Sequence, residues 1–309
     1  MKRFTVLSAL VLALGALLFS TIPAPAATPA ATAADPAYQK EIEAWRAERV
    51  DGLKKDDGWF ALVGLFWLDE GENRFGSDPA NKVVLPEDKS PKLAGVLVRE
   101  GDKVRVRVEP GATVTSDGKP VKAMDLLSDA EEEPTLLEMG PVNFYVIKRG
   151  DRLGVRVKDK KSPALAGFHG LDSYPIQPSW RVEARFEPYS PPKEIPIPNV
   201  LGQVTPSPSP GAIVFDWQGK TYRLDALGSV EEGLSLIFAD QTNGQETYGA
   251  GRFLETGPPK DGKVVVDFNR AYNPPCAFTA FATCPLPPSQ NRLALRVEAG
   301  EKKYAGSAH

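Results

Sequence analysis

The sequence predicts a mainly β protein with an N-terminal helix, a β-sandwich and then an antiparallel β meander. Pro and Gly are abundant, at 29 and 27 of 309 residues, and they divide the chain into short pieces. Between them lie many short runs rich in β-branched residues, which are typical of strands joined by turns. One segment near the start has apolar residues at helical spacing. Two β cores are expected, because the chain is longer than a typical single domain of about 100–150 residues.

The first 26 residues have the pattern of a secretory signal peptide. Met1 to Arg3 is charged, Phe4 to Phe19 is apolar, and Ala24 to Ala26 supplies small residues for cleavage after Ala26. A membrane anchor is the alternative, but the apolar run is shorter than the ~20 residues that cross hydrocarbon. Residues 27–34 are expected to be a tether. The sequence therefore predicts a periplasmic or extracellular protein without stable membrane insertion after cleavage.

Residues 35–57 are predicted to form the helix. Asp35 can cap its N-terminus, Pro36 suits the first turn, and Gly58 ends it. An apolar stripe at helical spacing is expected to pack on a β core. It consists of Tyr38, Ile42, Trp45, Arg49 and Leu53.

Residues 58–160 are predicted to form the β-sandwich. Trp59 to Leu68 is apolar on both faces, too short to span a membrane and suited to a buried strand. Short strands separated by Gly-Asp, Asp-Gly and Pro-Gly turns are expected to follow it: Val83–Leu85, Gly95–Arg99, Val104–Val108, Thr113–Thr115, Asn143–Lys148 and Leu153–Val157.

Residues 161–309 are predicted to form the meander. Its first part, Pro188 to Pro210, carries eight prolines and is interpreted as a crossover or linker on the surface. Asn243-Gly244 is the clearest hairpin turn. The predicted strands are Ile213–Trp217, Thr221–Ala226, Leu234–Asp240, Tyr248–Leu254, Val264–Asn269 and Leu293–Glu298.

The chain has two cysteines, Cys276 and Cys284, separated by seven residues. In an oxidising compartment a close, isolated pair is expected to form a structural disulfide. A loop this short would stabilise the fold by about 2.5 kcal/mol in the chain-entropy model. Redox catalysis is the alternative, but the pair is not a C-x-x-C motif and Pro275 and Pro285 stiffen its surroundings.

Three long motifs resemble an exported bacterial family that is catalogued only as a domain of unknown function. They are GWFALVGLFWLDEGENRFGSDPANKVVLP from Gly58, TYGAGRFL from Thr247 and DFNRAYNPPCAFTAFATCPLPPSQNRL from Asp267. The resemblance spans most of the chain after the tether. It implies membership of the family and no particular reaction.

A second, local resemblance concerns the sandwich. RFGSDPANKVVLP, PKLAGVLV and TSDGKPV are similar in order and spacing to the forkhead-associated β-sandwich. That fold binds phosphothreonine through an Arg, a Ser and nearby polar side chains, because a phosphate needs several donors. Here Ser77 stands at the Arg position, and Pro91 to Ala94 lacks the Ser and the His. The resemblance therefore implies the scaffold without its phosphopeptide site.

Composition disfavours several classes of function. The formal net charge of −3 and the pI of about 5.7 argue against nucleic acid as a partner. His169 and His309 are the only histidines, so a zinc site is disfavoured, and no metal or cofactor is expected. His169 could serve as a base with Asp172 or Ser162, although a histidine in a turn is favoured. Asp240 to Glu246 has the donors of a calcium loop, but a hairpin tip is favoured. Trp59, Trp67 and Trp180 could form a sugar platform, although core packing is favoured.

Polar residues of the second half form the candidate binding site. In a strand from Val264 to Asn269, Asp267 and Asn269 would share one face. Tyr248 to Gly251 is nearly free of bulk, which leaves room for a ligand. Converging arginines, one carboxylate and aromatic walls would bind a small polar or anionic ligand, or a partner. The candidates are Arg223, Asp225, Arg252, Asp267, Asn269, Arg270, Tyr272 and Asn273. In the alternative, Asp267 pairs with Arg252 or Arg270 in a structural network.

Three function hypotheses follow from these residues. The first is an exported envelope protein that binds such a ligand or partner without catalysis. The second is a hydrolase of an envelope glycan or ester, in which Asp267 needs a second carboxylate, Asp225 or Asp240, about 5–10 Å away. The third is a purely structural module.

Overall fold

The fold is seen in a computed structural model of the chain. The structure describes residues 1, 35–131 and 133–306. The predicted signal peptide, the tether and His309 therefore lie outside the described residues, apart from Met1. The described residues from Asp35 onward belong to one compact unit. Among them, no helix has both the length and the hydropathy of a membrane span.

Helix α1 (Pro36–Lys54) follows the predicted cap. The Asp35 carboxylate accepts a hydrogen bond from the backbone N–H of Ala37 at 3.1 Å, which satisfies a donor that the first turn leaves free. Ile42 and Leu53 from the predicted stripe are buried against the rest of the protein. The helix therefore packs through the predicted face.

Eleven strands after α1 form the predicted β-sandwich. Its first sheet has the order β1-β11-β10-β9-β6-β7 and its second the order β3-β2-β4-β5-β8. Phe75 of the second sheet packs on Phe144 of the first, with ring centroids 5.4 Å apart, so the two sheets share one core. The strands are β1 (Leu62–Trp67), β2 (Gly71–Gly76), β3 (Val83–Val84), β4 (Gly95–Glu100), β5 (Lys103–Val108), β6 (Thr115–Ser116), β7 (Lys119–Pro120), β8 (Ala123–Leu126), β9 (Leu137–Met139), β10 (Val142–Arg149) and β11 (Arg152–Asp159).

A short helix, α2 (Pro163–Ala166), leads into the third sheet. This antiparallel sheet has the order β16-β15-β14-β13-β12-β17, so five consecutive strands form the predicted meander. Its edge strands β16 and β17 are also neighbours, so the sheet curves around an aromatic core that includes Phe215 and Phe268. The mainly β fold class is confirmed. The strands are β12 (Arg181–Pro198), β13 (Val204–Trp217), β14 (Lys220–Ser229), β15 (Gly233–Phe238), β16 (Arg252–Thr256) and β17 (Lys263–Asp267).

The proline-rich stretch is a hairpin, and its interpretation as a crossover or linker was wrong. Strands β12 and β13 pair across it, with Pro196 opposite Pro206. Prolines at every second position leave the alternate residues, such as Ile195 and Ile197, to donate across the ladder. This outer part of the hairpin has no further strand on either side, so the missing proline N–H groups disrupt no ladder.

The predicted strand Leu293–Glu298 is also wrong. This segment has no strand ladder, although Leu293, Leu295 and Val297 alternate into the core as strand residues do. Isolated backbone hydrogen bonds and a side chain hold it instead. The Leu293 N–H donates to the carbonyl oxygen of Ala239 at 2.8 Å, and the Gln241 N–H donates to that of Leu295 at 2.9 Å. The guanidinium of Arg252 donates to the carbonyl oxygen of Val297 at 2.9 Å and also to that of Ala299.

Arg252 is fully buried and pairs with the carboxylate of Asp240. The Arg252 Nη2 to Asp240 Oδ2 distance is 2.7 Å, and both side chains are 0% exposed. Asp240 Oδ1 also accepts hydrogen bonds from the backbone N–H and the hydroxyl of Thr242, at 2.8 and 2.6 Å. The pair thus joins β16, the turn after β15 and residues 293–302, which we call the C-terminal segment.

We expect Arg252→Met to lower the free energy of unfolding by about 3–5 kcal/mol, because it leaves the Asp240 carboxylate buried without a countercharge. Arg252→Met combined with Asp240→Leu should recover part of this loss, because no buried charge remains. Urea denaturation followed by circular dichroism measures both. Arg292→Met, on an exposed arginine nearby, is the control and should change stability by no more than about 0.5 kcal/mol. A loss below 1 kcal/mol for Arg252→Met would contradict the role of the pair.

Candidate functional site

The eight residues of the predicted ligand site do not meet in one pocket. Arg252 is enclosed by the contacts described above and has no exposed surface. The other seven divide among three places: beneath α1, on the outer surface of β14, and beside the C-terminal segment.

The first place is the contact between α1 and the end of β17. The Tyr38 hydroxyl lies 2.9 and 2.8 Å from the two carboxylate oxygens of Asp267. Asn269 donates to the Tyr38 oxygen at 2.9 Å and to Asp267 Oδ1 at 3.1 Å. Arg270 forms an ion pair with Glu41 of the helix, and its Nε is 4.0 Å from Asp267. Phe268–Arg270 is a 3₁₀ turn, which replaces the predicted strand alternation.

The second place is the surface of β14. Asp225 accepts hydrogen bonds from the Tyr189 hydroxyl at 2.7 Å and from the Gln290 amide at 3.1 Å. Arg223 forms an ion pair with Glu187 and donates to the Tyr189 hydroxyl at 2.9 Å. This network holds β14 to the base of the proline hairpin.

These contacts bear on the hydrolase hypothesis. Asp267, Asp225 and Asp240 each belong to a different hydrogen-bond network. Their oxygens are occupied by Tyr38, Tyr189 and Arg252, respectively.

The other catalytic and metal candidates are placed as follows. His169 is exposed in the turn after α2, and Ser162 is occupied because it caps α2 and donates to the carbonyl oxygen of Phe60. Glu246, the last residue of the calcium-like segment, is paired with Arg296 and Tyr174. These contacts give the segment a structural role in its turn.

The three tryptophans also lie apart. Trp180 is in the core of the third sheet, where its ring stacks on Trp217 with centroids 4.0 Å apart. The guanidinium of Arg152 covers the ring of Trp67 at 3.9 Å. Trp59 packs at the edge of a third core cluster. They form no common platform for a sugar.

The third place borders a cavity that the sequence did not reveal. Tyr272 and Asn273 lie next to Glu301, where α1 meets the C-terminal segment. The cavity has a volume of about 180 Å³, and we call it the arginine cavity. It is lined by Arg46, Arg49, Val50, Leu171, Asp172, Ser173 and Glu301. The sequence feature that could have indicated this cavity is the pair Arg46 and Arg49, which lie three residues apart on the same side of α1.

Arg49 is the better satisfied of the two arginines. Its Nε is 3.1 Å from Glu301 Oε1, and its Nη2 donates to the carbonyl oxygen of Asn273 at 2.8 Å. The guanidinium also lies over the ring of Tyr272, 4.8 Å from the centroid. Arg49 is thereby held in one position at the wall of the cavity.

Arg46 is only partly satisfied. Its Nη2 donates to the carbonyl oxygen of Tyr174 at 3.0 Å. Its Nε is buried and has no acceptor among the described residues. Burial lowers the pKa of Arg46, and the charges of Glu301 and Glu43 oppose this only in part. The cavity therefore presents a partly desolvated cation with free hydrogen-bonding capacity.

Glu301 is the buried carboxyl group of the cavity wall. It is 2% exposed, and its Oε2 accepts the backbone N–H of Asn273 at 2.8 Å. Burial raises the pKa of this carboxyl above its usual value, although Arg49 and the Asn273 N–H act in the opposite direction. Its charge, and so the net charge of the cavity, depends on pH.

A second, wider depression of about 450 Å³ lies over the outer side of Tyr38. Its charged walls include Asp35, Glu41 and Arg181. Glu41 is already paired with Arg270, and the Tyr38 hydroxyl is directed to Asp267. This depression offers less unsatisfied hydrogen-bonding capacity than the arginine cavity.

Cys276 and Cys284 lie side by side and are free thiols in this structure. They are 6% and 5% exposed. The backbone N–H of each points to the sulfur of the other, at 3.1 Å to Cys284 Sγ and 3.3 Å to Cys276 Sγ. The disulfide stays a prediction for this pair.

Comparisons with solved structures find partial similarities. The solution NMR structure of an uncharacterized protein of Haloarcula marismortui is 32% identical, with 44% of this chain and 78% of that chain covered and a TM-score of 0.38. The FhaA FHA domain, solved with the intracellular domain of Rv3910, is 14% identical over 30% of this chain and 97% of that domain, with a TM-score of 0.22. Mycobacterium tuberculosis EmbR, solved with a low affinity phosphopeptide, is 14% identical over 43% of this chain and 32% of its own, with a TM-score of 0.22.

Comparisons of sequence identify the family. No curated protein matches the chain. A family model described as "Protein of unknown function (DUF1684)" matches residues 166–302, which include the predicted motifs from Thr247 and from Asp267. This match confirms the resemblance to this family of proteins of unknown function over residues 166–302.

Proposed function

We propose that the protein is an exported binding protein whose arginine cavity takes a small ligand that carries a carboxylate. The observation that supports it most is the state of Arg46. Arg46 is half-buried, and its Nε, which is buried, has no acceptor among the described residues. A ligand carboxylate in the cavity would supply both the missing acceptor and a countercharge.

Charge complementarity favours an anion. Arg46 and Arg49 line the cavity together, whereas Glu301 is already engaged by Arg49 and by the Asn273 N–H. The other carboxylate of the wall, Asp172, is exposed to solvent. A planar carboxylate can accept two parallel hydrogen bonds from one guanidinium, which an isolated water cannot match.

The walls limit the rest of the ligand. Val50 and Leu171 are apolar, and Ser173 brings a hydroxyl group. At about 30 Å³ per water molecule, the cavity of about 180 Å³ corresponds to about six waters. A short organic acid with a small apolar or hydroxyl-bearing part fits these walls better than a sugar chain or a peptide.

Binding without catalysis is the better supported form of the proposal. Catalysis by acid and base groups needs two that act on one substrate. Here Glu301 is held by two donor contacts, one from Arg49 and one from the backbone, and the three aspartates proposed for a hydrolase lie in separate networks.

We expect Arg46→Gln to weaken the binding of a short carboxylate by about tenfold or more, because a hydrogen-bonded charge is removed from a desolvated site. Isothermal titration calorimetry with a panel of short mono-, di- and hydroxycarboxylates measures it, with the uncharged amides as comparison ligands. Lys40→Gln removes one positive charge from an exposed position on the same helix and is the matched control. The proposal is rejected if no acid of the panel binds wild-type protein, or if both variants weaken binding equally.

Binding should strengthen as the pH falls from 7.5 to 5.5. Burial raises the pKa of Glu301, so this carboxyl takes up a proton before an exposed one would, and the cavity then becomes more positive. The ligand carboxylate stays ionised over this range, since ordinary carboxyl groups titrate near pH 4. We expect a gain of about threefold to tenfold by calorimetry, and a flat profile for Glu301→Gln. A gain of the same size in Glu301→Gln would assign the pH dependence to another group.

Export is a separate part of the proposal, supported by the charged, apolar and small-residue series from Met1 to Ala26. In a bacterial host with a C-terminal tag, the protein released from the periplasm should start at Ala27. Intact-mass measurement and N-terminal sequencing check this. Replacing Ala24 and Ala26 with bulky residues should leave the longer form attached to membranes, and an uncleaved wild-type chain in the cytoplasm would refute export.

A further inference from the structure

The two cysteines lie in a charged environment that a purely structural pair does not need. Arg156 of β11 reaches the segment that contains them, and its Nη2 donates to the Thr283 hydroxyl at 3.1 Å. Arg156 is 6% exposed, and its Nε has no acceptor among the described residues. No carboxylate among those residues lies within 4.0 Å of its guanidinium. Arg156 is thus a buried cation without a countercharge.

Burial of an unpaired charge is costly, so a group that can become anionic beside Arg156 would be stabilised. The two thiols are such groups. The positive charge of Arg156 acts to lower the pKa of both Cys276 and Cys284.

The contacts between the sulfurs make the two cysteines unequal. A hydrogen bond from the Cys284 thiol lowers the pKa of Cys276, and the same contact raises the pKa of Cys284. The backbone N–H of Cys284 also points to Cys276 Sγ. Cys276 is therefore the sulfur at which a negative charge is best stabilised.

We propose that Cys276 and Cys284 form a reversible redox dithiol, in which Cys276 is the nucleophilic thiolate of the reduced protein and Arg156 is its countercharge. The disulfide predicted from the sequence is then the oxidised state of this pair. The proposal involves none of the residues of the arginine cavity and does not depend on ligand binding.

The co-reactant is a low-molecular-weight disulfide, such as oxidised glutathione. The Cys276 thiolate attacks one of its sulfurs, forms a mixed disulfide and expels one thiolate. Cys284 then loses its proton and attacks Cys276 Sγ, which closes the intramolecular disulfide and releases the second thiolate. Starting from the thiolate form, the protein loses two electrons and one proton. The two expelled thiolates take up this proton and a second one from solvent, so that the co-reactant is released as two thiols.

The oxidised state has no thiolate, so Arg156 then loses its countercharge. A cation that stabilises the thiolate therefore makes the disulfide easier to reduce than an ordinary structural one. This effect is what separates a reversible pair from a permanent staple. The turn between β12 and β13 is coupled to the cysteines, because the backbone N–H of Val200 donates to the Cys284 carbonyl oxygen at 3.1 Å.

The test is the equilibrium between the full-length purified protein and glutathione redox buffers, with the fraction of disulfide read from mass after alkylation in denaturant. We expect Arg156→Gln to raise the equilibrium constant for disulfide formation about tenfold, which corresponds to a potential about 30 mV more negative. Arg156→Lys keeps the charge and should remain close to wild type. Arg152→Gln removes an arginine from the same face of β11 and should leave the constant unchanged.

Direct titration of the reduced wild-type protein covers the case in which Arg156→Gln does not fold. The ultraviolet absorbance of a thiolate should appear below the ordinary thiol pKa of about 8.5 and should be absent from Cys276→Ala. The proposal is overturned if no thiolate absorbance appears below this pH, if no intramolecular disulfide forms in any buffer, or if Arg156→Gln and Arg152→Gln shift the equilibrium equally.

Discussion

The buried ion pair between Arg252 and Asp240 is the interaction on which the second half of the protein depends. The C-terminal segment lies against the third sheet without a regular strand ladder, so some of its carbonyl groups need a donor other than the backbone. Arg252 supplies it, because its guanidinium donates to the carbonyls of Val297 and Ala299 while Asp240 neutralises its charge. The alternation of buried residues along this segment is thereby retained without pairing between strands.

This arrangement also sets the position of the arginine cavity. The segment that Arg252 holds continues to Glu301, and the Glu301 carboxylate in turn binds Arg49 of α1. The helix is held at its other end by Tyr38, whose hydroxyl meets the Asp267 carboxylate. Arg46 lies between these two attachments and faces the space that they leave. The cavity is therefore a consequence of how α1 docks on the curved sheet.

The two proposed chemistries use the same physical feature in separate parts of the molecule. Arg46 and Arg156 are both arginines with a buried Nε that lacks an acceptor, and neither contacts a carboxylate directly among the described residues. In the arginine cavity the missing countercharge would come from a ligand, whereas beside Cys276 it would come from the protein itself. A fold that contains two such cations must either bear their desolvation cost or satisfy them from another source.

Much of the fold could be predicted from local pattern. The cap at Asp35, the stripe of α1 and most strands of the sandwich depend on residues close in sequence, which act through turn chemistry and periodicity. The proline-rich stretch was not predicted to be a hairpin, because prolines are usually excluded from sheets. That rule applies to strands with partners on both sides. The prediction of a strand at Leu293–Glu298 was wrong because its alternating pattern indicates only that one face is buried. Such a pattern occurs in strands and also in extended segments that belong to no sheet.

The sequence by itself determined the fold class, the family motifs and the residue types available for chemistry. Tertiary structure alone decided which of these residues meet. Arg252 is close along the chain to Asp267 and Asn269 yet belongs to a different hydrogen-bond network, whereas Arg46 meets the segment of Glu301 from the other end of the sequence. Charges act through distance and burial rather than through position in the chain, so sequence spacing names the candidates and packing selects among them.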